Sequence, residues 1–326
     1  MRKIFYNNLV EASLNDSQLD KLLYQQILTS SDNDLLLLIN AAYQVRSHYW
    51  GREVAVHILN NVQNGLCPED CSYCAQSSRS NAVIEKYPMK TEKQIFQEAE
   101  QAHKQGAFRH CLVFAGREQS KERIDQLVEI VKKLKKDFPM QICVSPGKID
   151  KEDAQRLKDA GLDRLNHNLN TSSAYYPSIC SSHSFQERLE ILEIAKAAGL
   201  QVCSGIIVGM GETNDDIIDT ALKLNSLQVE SIPVNFFMPI KGLALSPKTT
   251  LTPEFCLRIL CLFRFLNPRA EIRVAAGREM HLRNLQSLAL YPANSLFVDG
   301  YLNTDGSSYK DTIQMIEDAG FLVKKP

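Results

Sequence analysis

The stretch GREVAVHILNNVQNGLCPEDCSYCAQS, residues 51–77, sets a β-rich apolar run, AVHILNNV, directly ahead of three closely spaced cysteines, Cys67, Cys71 and Cys74. The run reads as a strand and the cysteine segment as the loop that leaves its C-terminal end. The same alternation of an apolar run with a charged amphipathic stretch continues along the chain. The later runs are FRHCLVFA from Phe108, MQICVS from Met140, RLNHNL from Arg164, QVCSGIIV from Gln201, SIPVNFFM from Ser231, EIRVAAG from Glu271 and NSLFVDG from Asn294. Eight strands alternating with helices predict an α/β fold, a closed (β/α)8 TIM-type barrel. An open doubly wound sheet split into two domains is the alternative, but no change of composition marks a boundary.

The helices between the runs carry start and stop signals. TEKQ at Thr91 and SFQE at Ser184 are capping boxes, in which a hydroxyl and a later Gln or Glu satisfy orphan backbone donors. Thr252-Pro253 places proline at a first helical position, and Gly199 is set to end a helix. SQLDKLLYQQILTS and NDLLLLINAAYQVRSHYW give residues 1–50 a helical reading. They form an N-terminal helical extension packed on the barrel of residues 51–326, a single domain overall.

The chain has 326 residues, 44% of them hydrophobic, and a formal net charge of -1. The balance of charge gives no basic surface for nucleic acid. No apolar run of about eighteen residues is present to span a membrane, and no signal peptide is recognisable. These features predict a cytoplasmic protein with neither a nucleic-acid nor a membrane partner. Nine cysteines, an odd number without a paired framework, fit a reducing setting. Any one of them, taken singly, reads as a buried core thiol.

In a (β/α)8 barrel the loops at the strand C-termini carry the chemistry, and the cysteine loop lies there. Thiolates at i, i+4 and i+7 reach three corners of an iron–sulfur cube and leave the fourth iron open, whereas a closed cluster or a structural zinc takes four. A zinc site completed by a distant His is the competing reading. Soft ligands call for a transition metal in either case. Tyr73, inside the motif, reads equally well as a packing residue.

A second set lies within the strands. Cys111, Cys143 and Cys203 are mid-strand on separate strands, as is Arg273, and alternation places Arg109 on the face of Cys111. Barrel interiors are normally filled by Val, Ile and Leu, so a buried arginine requires an anion or a metal site. One thiol alone is core; three with an arginine read as a second metal–sulfur cluster. Asn166, Asn168 and Asn170, joined by Asn235, form a polar face unusual for strands and suited to a neutral urea-like or ribose group. A solvated Asn cluster at a strand end is the alternative. His167 points the other way and reads as structural. GIIVGMGE, 205–212, lets backbone approach a ligand or simply makes a tight turn. Cys256 and Cys261 read as helix core, and Cys180 as incidental in a loop.

CPEDCSYC resembles the CxxxCxxC signature of radical S-adenosylmethionine enzymes, including the aromatic residue before the last cysteine. In that superfamily the open iron binds the amino and carboxylate groups of S-adenosylmethionine, and an electron from the cluster cleaves it to a 5′-deoxyadenosyl radical. From about Tyr49 onward the chain resembles the biotin synthase family. The stretches that carry this are GREVAVHILNNVQNGLCPEDCSYCAQSSR, NHNLNTS, VCSGIIVGMGET, IPVNFFMPIKG, RVAAGRE and ANSLFV. The resemblance implies insertion of sulfur into dethiobiotin to form biotin. It implies a 4Fe–4S cluster on Cys67, Cys71 and Cys74. A 2Fe–2S cluster on Cys111, Cys143, Cys203 and Arg273 would surrender a bridging sulfide. By the same resemblance Tyr73, Asn168, Asn170, Gly205, Ile207, Gly209, Gly211 and Glu212 contact S-adenosylmethionine. Asn166, Asn168, Asn235 and Thr304 contact dethiobiotin.

An electron donor such as flavodoxin or ferredoxin and a homodimer are further expectations of the resemblance. The chain departs from the family at Asn170, where some members carry Asp, at Asn303, at GLALSP after Lys241, and at YPANS. Other radical S-adenosylmethionine barrels, such as methylornithine synthase or the hydrogenase maturase, would keep the first three cysteines without the set at Cys111, Cys143, Cys203 and Arg273. An iron–sulfur carrier or a zinc-stabilised binding module would need neither the glycine-rich turn nor the asparagines.

Overall fold

The computed structural model describes residues 2–17, 19–29, 34–246 and 251–326. Gln18 and Ser30 of the first predicted helix, and Pro247 of GLALSP, lie outside them. The strands are β1 (Glu53–Asn61), β2 (Arg109–Val113), β3 (Gln141–Ser145), β4 (Arg164–Asn166), β5 (Gln201–Cys203), β6 (Ile206–Val208), β7 (Ser231–Phe236), β8 (Glu271–Val274), β9 (Ser295–Val298) and β10 (Leu322–Val323). All pairings between them are parallel. β9 pairs with β1, which closes the sheet into a barrel, and all eight predicted runs supply its staves. β10 is an addition at the N-terminal end of β1, in register Glu53 with Leu322.

The fifth stave is broken. β5 and β6 both pair with β7, with Ser204 and Gly205 between them. A side chain at Gly205 would bring its Cβ to 1.9 Å from the Pro233 carbonyl oxygen, so only glycine lets the two strands approach there.

The helices are α1 (Arg2–Leu14), α2 (Lys21–Thr29), α3 (Leu35–Trp50), α4 (Glu92–Lys104), α5 (Lys121–Asp137), α6 (Lys151–Asp159), α7 (Phe185–Ala197), α8 (Asn214–Ser226), α9 (Pro253–Leu266), α10 (Arg278–Leu282) and α11 (Tyr309–Asp318). The capping boxes at Thr91 and Ser184 form as the sequence predicts, and Thr252 caps α9 with Pro253 behind it. A third box, Thr213 with Asp216, starts α8. Gly199 follows α7 with φ +76°. Buried Leu9, Tyr24, Ile27, Leu38, Ile39 and Val45 of the first three helices share one core with the barrel's helical layer. Ser13 Oγ donates to the Phe265 carbonyl at 2.9 Å and Arg258 Nη1 to that of Ile27 at 3.0 Å, fixing α1 and α2 against α9. Among the described residues, no helix is long and apolar enough to cross a membrane.

Candidate active site

The loop after β1 is folded by its own backbone. The N–H of Cys67 donates to the Gln76 carbonyl at 3.3 Å, that of Cys74 to Cys71 at 3.1 Å and that of Ser77 to Cys74 at 3.2 Å. Cys67, Cys71 and Cys74 line a cavity of about 330 Å³ at the C-terminal mouth of the barrel. Three thiols on one loop suit a polynuclear cluster, in which each thiolate takes a different iron. Burial pushes the Cys74 thiol up to about 11, and burial likewise raises Cys67; a bound metal is what converts such thiols to thiolates.

Asn166, Asn168, Asn170 and Asn235 all line the same cavity, but strand alternation is not the reason. β4 ends at Asn166, and Asn170 has left-handed backbone with φ +70°, which asparagine tolerates. The asparagines stitch the broken fifth stave. Asn168 Oδ1 accepts from the Gly205 N–H at 3.0 Å, and Asn235 Nδ2 donates to the Ile206 carbonyl at 3.0 Å. The Asn170 backbone bridges both pieces, donating to the Gly205 carbonyl at 2.9 Å and accepting from the Ile207 N–H at 2.8 Å. Its side-chain Nδ2 donates to the Tyr73 hydroxyl at 2.6 Å, tying the cysteine loop to this segment. Tyr73 is therefore held by a specific partner.

Of the GIIVGMGE segment, Ile207 lines the cavity, while Gly205, Gly209, Gly211 and Glu212 are not among its lining residues. Glu212 turns back to accept from the Gly209 N–H at 2.6 Å and the Met210 N–H at 2.9 Å. Burial raises its pKa. On the opposite rim Thr304 lines the cavity with its hydroxyl donating to the Tyr301 carbonyl at 2.7 Å, and Asn303 accepts from Asn64 Nδ2 at 2.7 Å.

Below this mouth lie the strand cysteines. Register sets Cys111 beside Cys143, and Arg273 Nη1 lies 3.6 Å from Cys203 Sγ. Asn166 Nδ2, 3.2 Å from the same sulfur, links this level to the cavity above. One layer deeper the barrel holds a charge cage that the sequence reading only half anticipated. Glu271 accepts from Arg109 Nη1 at 3.0 Å, Arg164 Nη1 at 3.2 Å, Ser231 Oγ at 2.9 Å and Ser295 Oγ at 3.2 Å, and Arg273 Nη2 also reaches it. Burial, then Arg273, hold His57 well below its ordinary pKa, so it is neutral. Burial opposes the Glu271 charge, but Arg109 and Arg164 outweigh it and hold its carboxyl well below the usual range.

Three arginines against one carboxylate leave two positive charges in excess in the barrel core, a costly arrangement unless anions complete it. The hydrogen bond with Cys111, then burial, pushes the neighbouring Cys143 thiol well above its usual value, so that thiol is neutral and the cage lacks its full complement of anions. The hydrogen bond from Cys143, then Arg273 and Arg109, lowers the pKa of Cys111. Buried Nε of Arg273 and Nε of Arg109 have no hydrogen-bond partner. The thiols, the excess charge and the orphaned Arg273 Nε fit an anionic metal–sulfur cluster held by Cys111, Cys143, Cys203 and Arg273.

Cys180 is not incidental. Its sulfur lies 3.7 Å from that of Cys71 and 3.3 Å from Asp70 Oδ1, buried beneath the cysteine loop. The contact spans 109 residues, and no local pattern announces it. His167 lines the cavity beside Arg188 rather than facing away. Cys256 and Cys261 are fully buried in α9, as read from the sequence.

A parallel (β/α)8 barrel with a three-thiol loop on its first stave defines the radical S-adenosylmethionine class. The model of the Radical SAM superfamily matches residues 63–224, and that of the Biotin and Thiamin Synthesis associated domain matches residues 233–322. The chain is 50% identical over 317 residues to the biotin synthase of Magnetococcus marinus, covering 97% of this chain and 99% of that protein. It is 54% identical over 297 residues to the biotin synthase of Acaryochloris marina, covering 91% and 86%, and 45% identical over 298 residues to that of Bacillus subtilis, covering 91% and 89%. The chain belongs to the biotin synthase family. The barrel superimposes on methylornithine synthase with a TM-score of 0.82 at 21% identity, covering 97% of each chain. It superimposes on the FeFe-hydrogenase maturase of Carboxydothermus hydrogenoformans with 0.82 at 18%, covering 99% and 80%. These two likenesses are of fold.

Proposed function

We propose that this protein converts dethiobiotin to biotin by S-adenosylmethionine-dependent insertion of sulfur. The observation that carries the proposal is the stacking of two thiol sets on one barrel, Cys67, Cys71 and Cys74 at the mouth and Cys111, Cys143 and Cys203 with Arg273 beneath. When bound, a 4Fe–4S cluster with S-adenosylmethionine supplies hydrogen-abstracting radical chemistry, and a 2Fe–2S cluster supplies sulfur.

The chain's residues do the rest by placement. Cys67, Cys71 and Cys74 hold the first cluster. Cys111, Cys143, Cys203 and Arg273 hold the second, with Glu271 fixing the Arg273 guanidinium. Tyr73, Asn168, Asn170 and Ile207 face S-adenosylmethionine, with the turn of Gly205, Gly209, Gly211 and Glu212 shaping the wall behind it. Asn166, Asn168 and Asn235 present amides that match the ureido group of dethiobiotin, and Thr304 sits at the rim for its carboxylate. The barrel walls exclude water from the reacting carbons.

Residues 1–50 serve as a helical extension of the barrel domain, residues 51–326. An electron donor of the flavodoxin or ferredoxin type and a reducing cytoplasmic setting complete the proposal. So does a homodimer, for which exposed Leu22, Leu36 and Leu37 supply apolar surface. Anaerobically reconstituted protein given reductant, S-adenosylmethionine and dethiobiotin is expected to form biotin and 5′-deoxyadenosine. Formation of 5′-deoxyadenosine without biotin would overturn the substrate assignment.

A further inference from the structure

At the mouth of the barrel, where Cys71 and His183 line the same cavity as Cys67 and Cys74, three ligand atoms converge. Cys71 Sγ, Cys180 Sγ and a ring nitrogen of His183 all lie within 4.8 Å of one another. The Cys71–Cys180 sulfur separation is 3.7 Å, and Cys180 Sγ lies 3.3 Å from His183 Nδ1 and 3.7 Å from Nε2. Metal–sulfur bonds of about 2.3 Å set two sulfurs of a tetrahedral site roughly 3.8 Å apart. The spacing matches one ion rather than a polynuclear cluster. Cys71 and Cys180 are both buried.

The surroundings are built as well. Glu69 Oε2 grips His183 Nδ1 and also accepts from Ser182 Oγ, so the carboxylate orients the ring and leaves Nε2, 3.7 Å from Cys180 Sγ, free of that carboxylate. A carboxylate on one nitrogen of an imidazole that ligates through the other is the usual support of such a site. Asp70 pins the 180–183 segment by accepting from the N–H groups of Ser181 at 2.9 Å and Ser182 at 3.0 Å. Arg188 Nη2 occupies His183 Nε2 at 2.8 Å, and its Nη1 holds the Asn168 carbonyl at 2.8 Å. An ion would displace the first contact and leave the second.

We infer that Cys71, Cys180 and His183 form a mononuclear site for a thiophilic divalent cation of the zinc type, which shares Cys71 with the three-thiol loop and so excludes cluster assembly while occupied. The exclusion, though not the binding, rests on the assignment of Cys71 to the 4Fe–4S cluster. The site takes the ion in the iron-free chain, with water as fourth ligand, and surrenders Cys71 when the cluster is built.

The test is a cobalt(II) titration of the full-length chain freed of iron and sulfide, read by the visible absorption of tetrahedral thiolate cobalt. Wild type is expected to bind one more equivalent than Cys180→Ser, and the Cys67→Ser/Cys74→Ser double variant is expected to keep that equivalent. His183→Asn should weaken it by roughly tenfold or more. Far-UV circular dichroism of each variant establishes that the barrel is intact. Zinc loaded beforehand should slow 4Fe–4S reconstitution in wild type and not in Cys180→Ser. An unchanged titration of Cys180→Ser, or loss of the equivalent in the double variant, would place the ion on the cysteine loop and overturn the inference. Binding as expected without slowed reconstitution would instead overturn the assignment of Cys71 to the cluster.

Discussion

Replacing Glu271 by Gln isolates the electrostatics of the barrel core. The carboxylate is 3% exposed and accepts from Arg109, Arg164 and Arg273. At about 4 Å and an effective dielectric of about 20, each carboxylate–guanidinium attraction is worth roughly 4 kcal/mol, from which desolvation of the carboxylate takes back several. Gln keeps the shape and part of the hydrogen bonding, but raises the excess positive charge of the cage from two to three. Breaking a buried charge set in this way costs about 3–5 kcal/mol. Urea unfolding of the iron-free chain should therefore show the variant less stable by about that amount. Cys143→Ser, which leaves the arginine cage intact, should lose less. The refuting result is a Glu271→Gln chain within about 1 kcal/mol of wild type, which would mean that the arginines are compensated elsewhere.

Gly205→Ala drives a methyl group into the Pro233 carbonyl and should cost about 3 kcal/mol, seen as a lowered urea midpoint; an unaffected midpoint would contradict the packing of the broken stave. Asn168→Ala strips the Gly205 N–H of its side-chain acceptor, and unfolding should show a loss of about 1–3 kcal/mol. Asp216 caps α8 and accepts from Ser172 and Thr213, which outweigh burial and hold its pKa below 3.8. Its contribution is present above that value and lost as pH falls through the lower folded-state value. Asp216→Asn should accordingly cost about 1 kcal/mol at neutral pH, with the difference from wild type vanishing in strong acid. Burial pushes the Cys256 thiol up to about 12, so alkylation of the native chain near neutral pH should leave this cysteine unmodified until the protein unfolds.

Much of the barrel was legible because continuous apolar runs in a parallel sheet stand out from amphipathic helices. The break in the fifth stave was not, since Gly205 opens a glycine-spaced stretch that reads as a ligand approach or a tight turn. The asparagines were read as one polar face and do line one cavity, yet not by strand alternation: it stops at Asn166, and the loop curls back to repair the broken stave. Arg109 and Arg273 were visible as buried charges lacking partners. Their partner, Glu271, was read only as the first residue of the EIRVAAG run, although its place two residues before Arg273 sets both on one face. Thr213 escaped as a capping residue because its partner is Asp rather than Glu or Gln. Cys180 and His183 reach the cysteine loop only through tertiary contact, which leaves no trace in local spacing.

The central claim is that the thiols inside the barrel hold the sulfur that is transferred. It is tested most directly by rebuilding the protein with heavy-isotope sulfide, removing free sulfide, and weighing the product of a single turnover by mass spectrometry. Biotin carrying the heavy sulfur from wild type, and no biotin from Cys143→Ser despite continued 5′-deoxyadenosine formation, is the predicted result. Biotin with light sulfur, or undiminished biotin from Cys143→Ser, would contradict it.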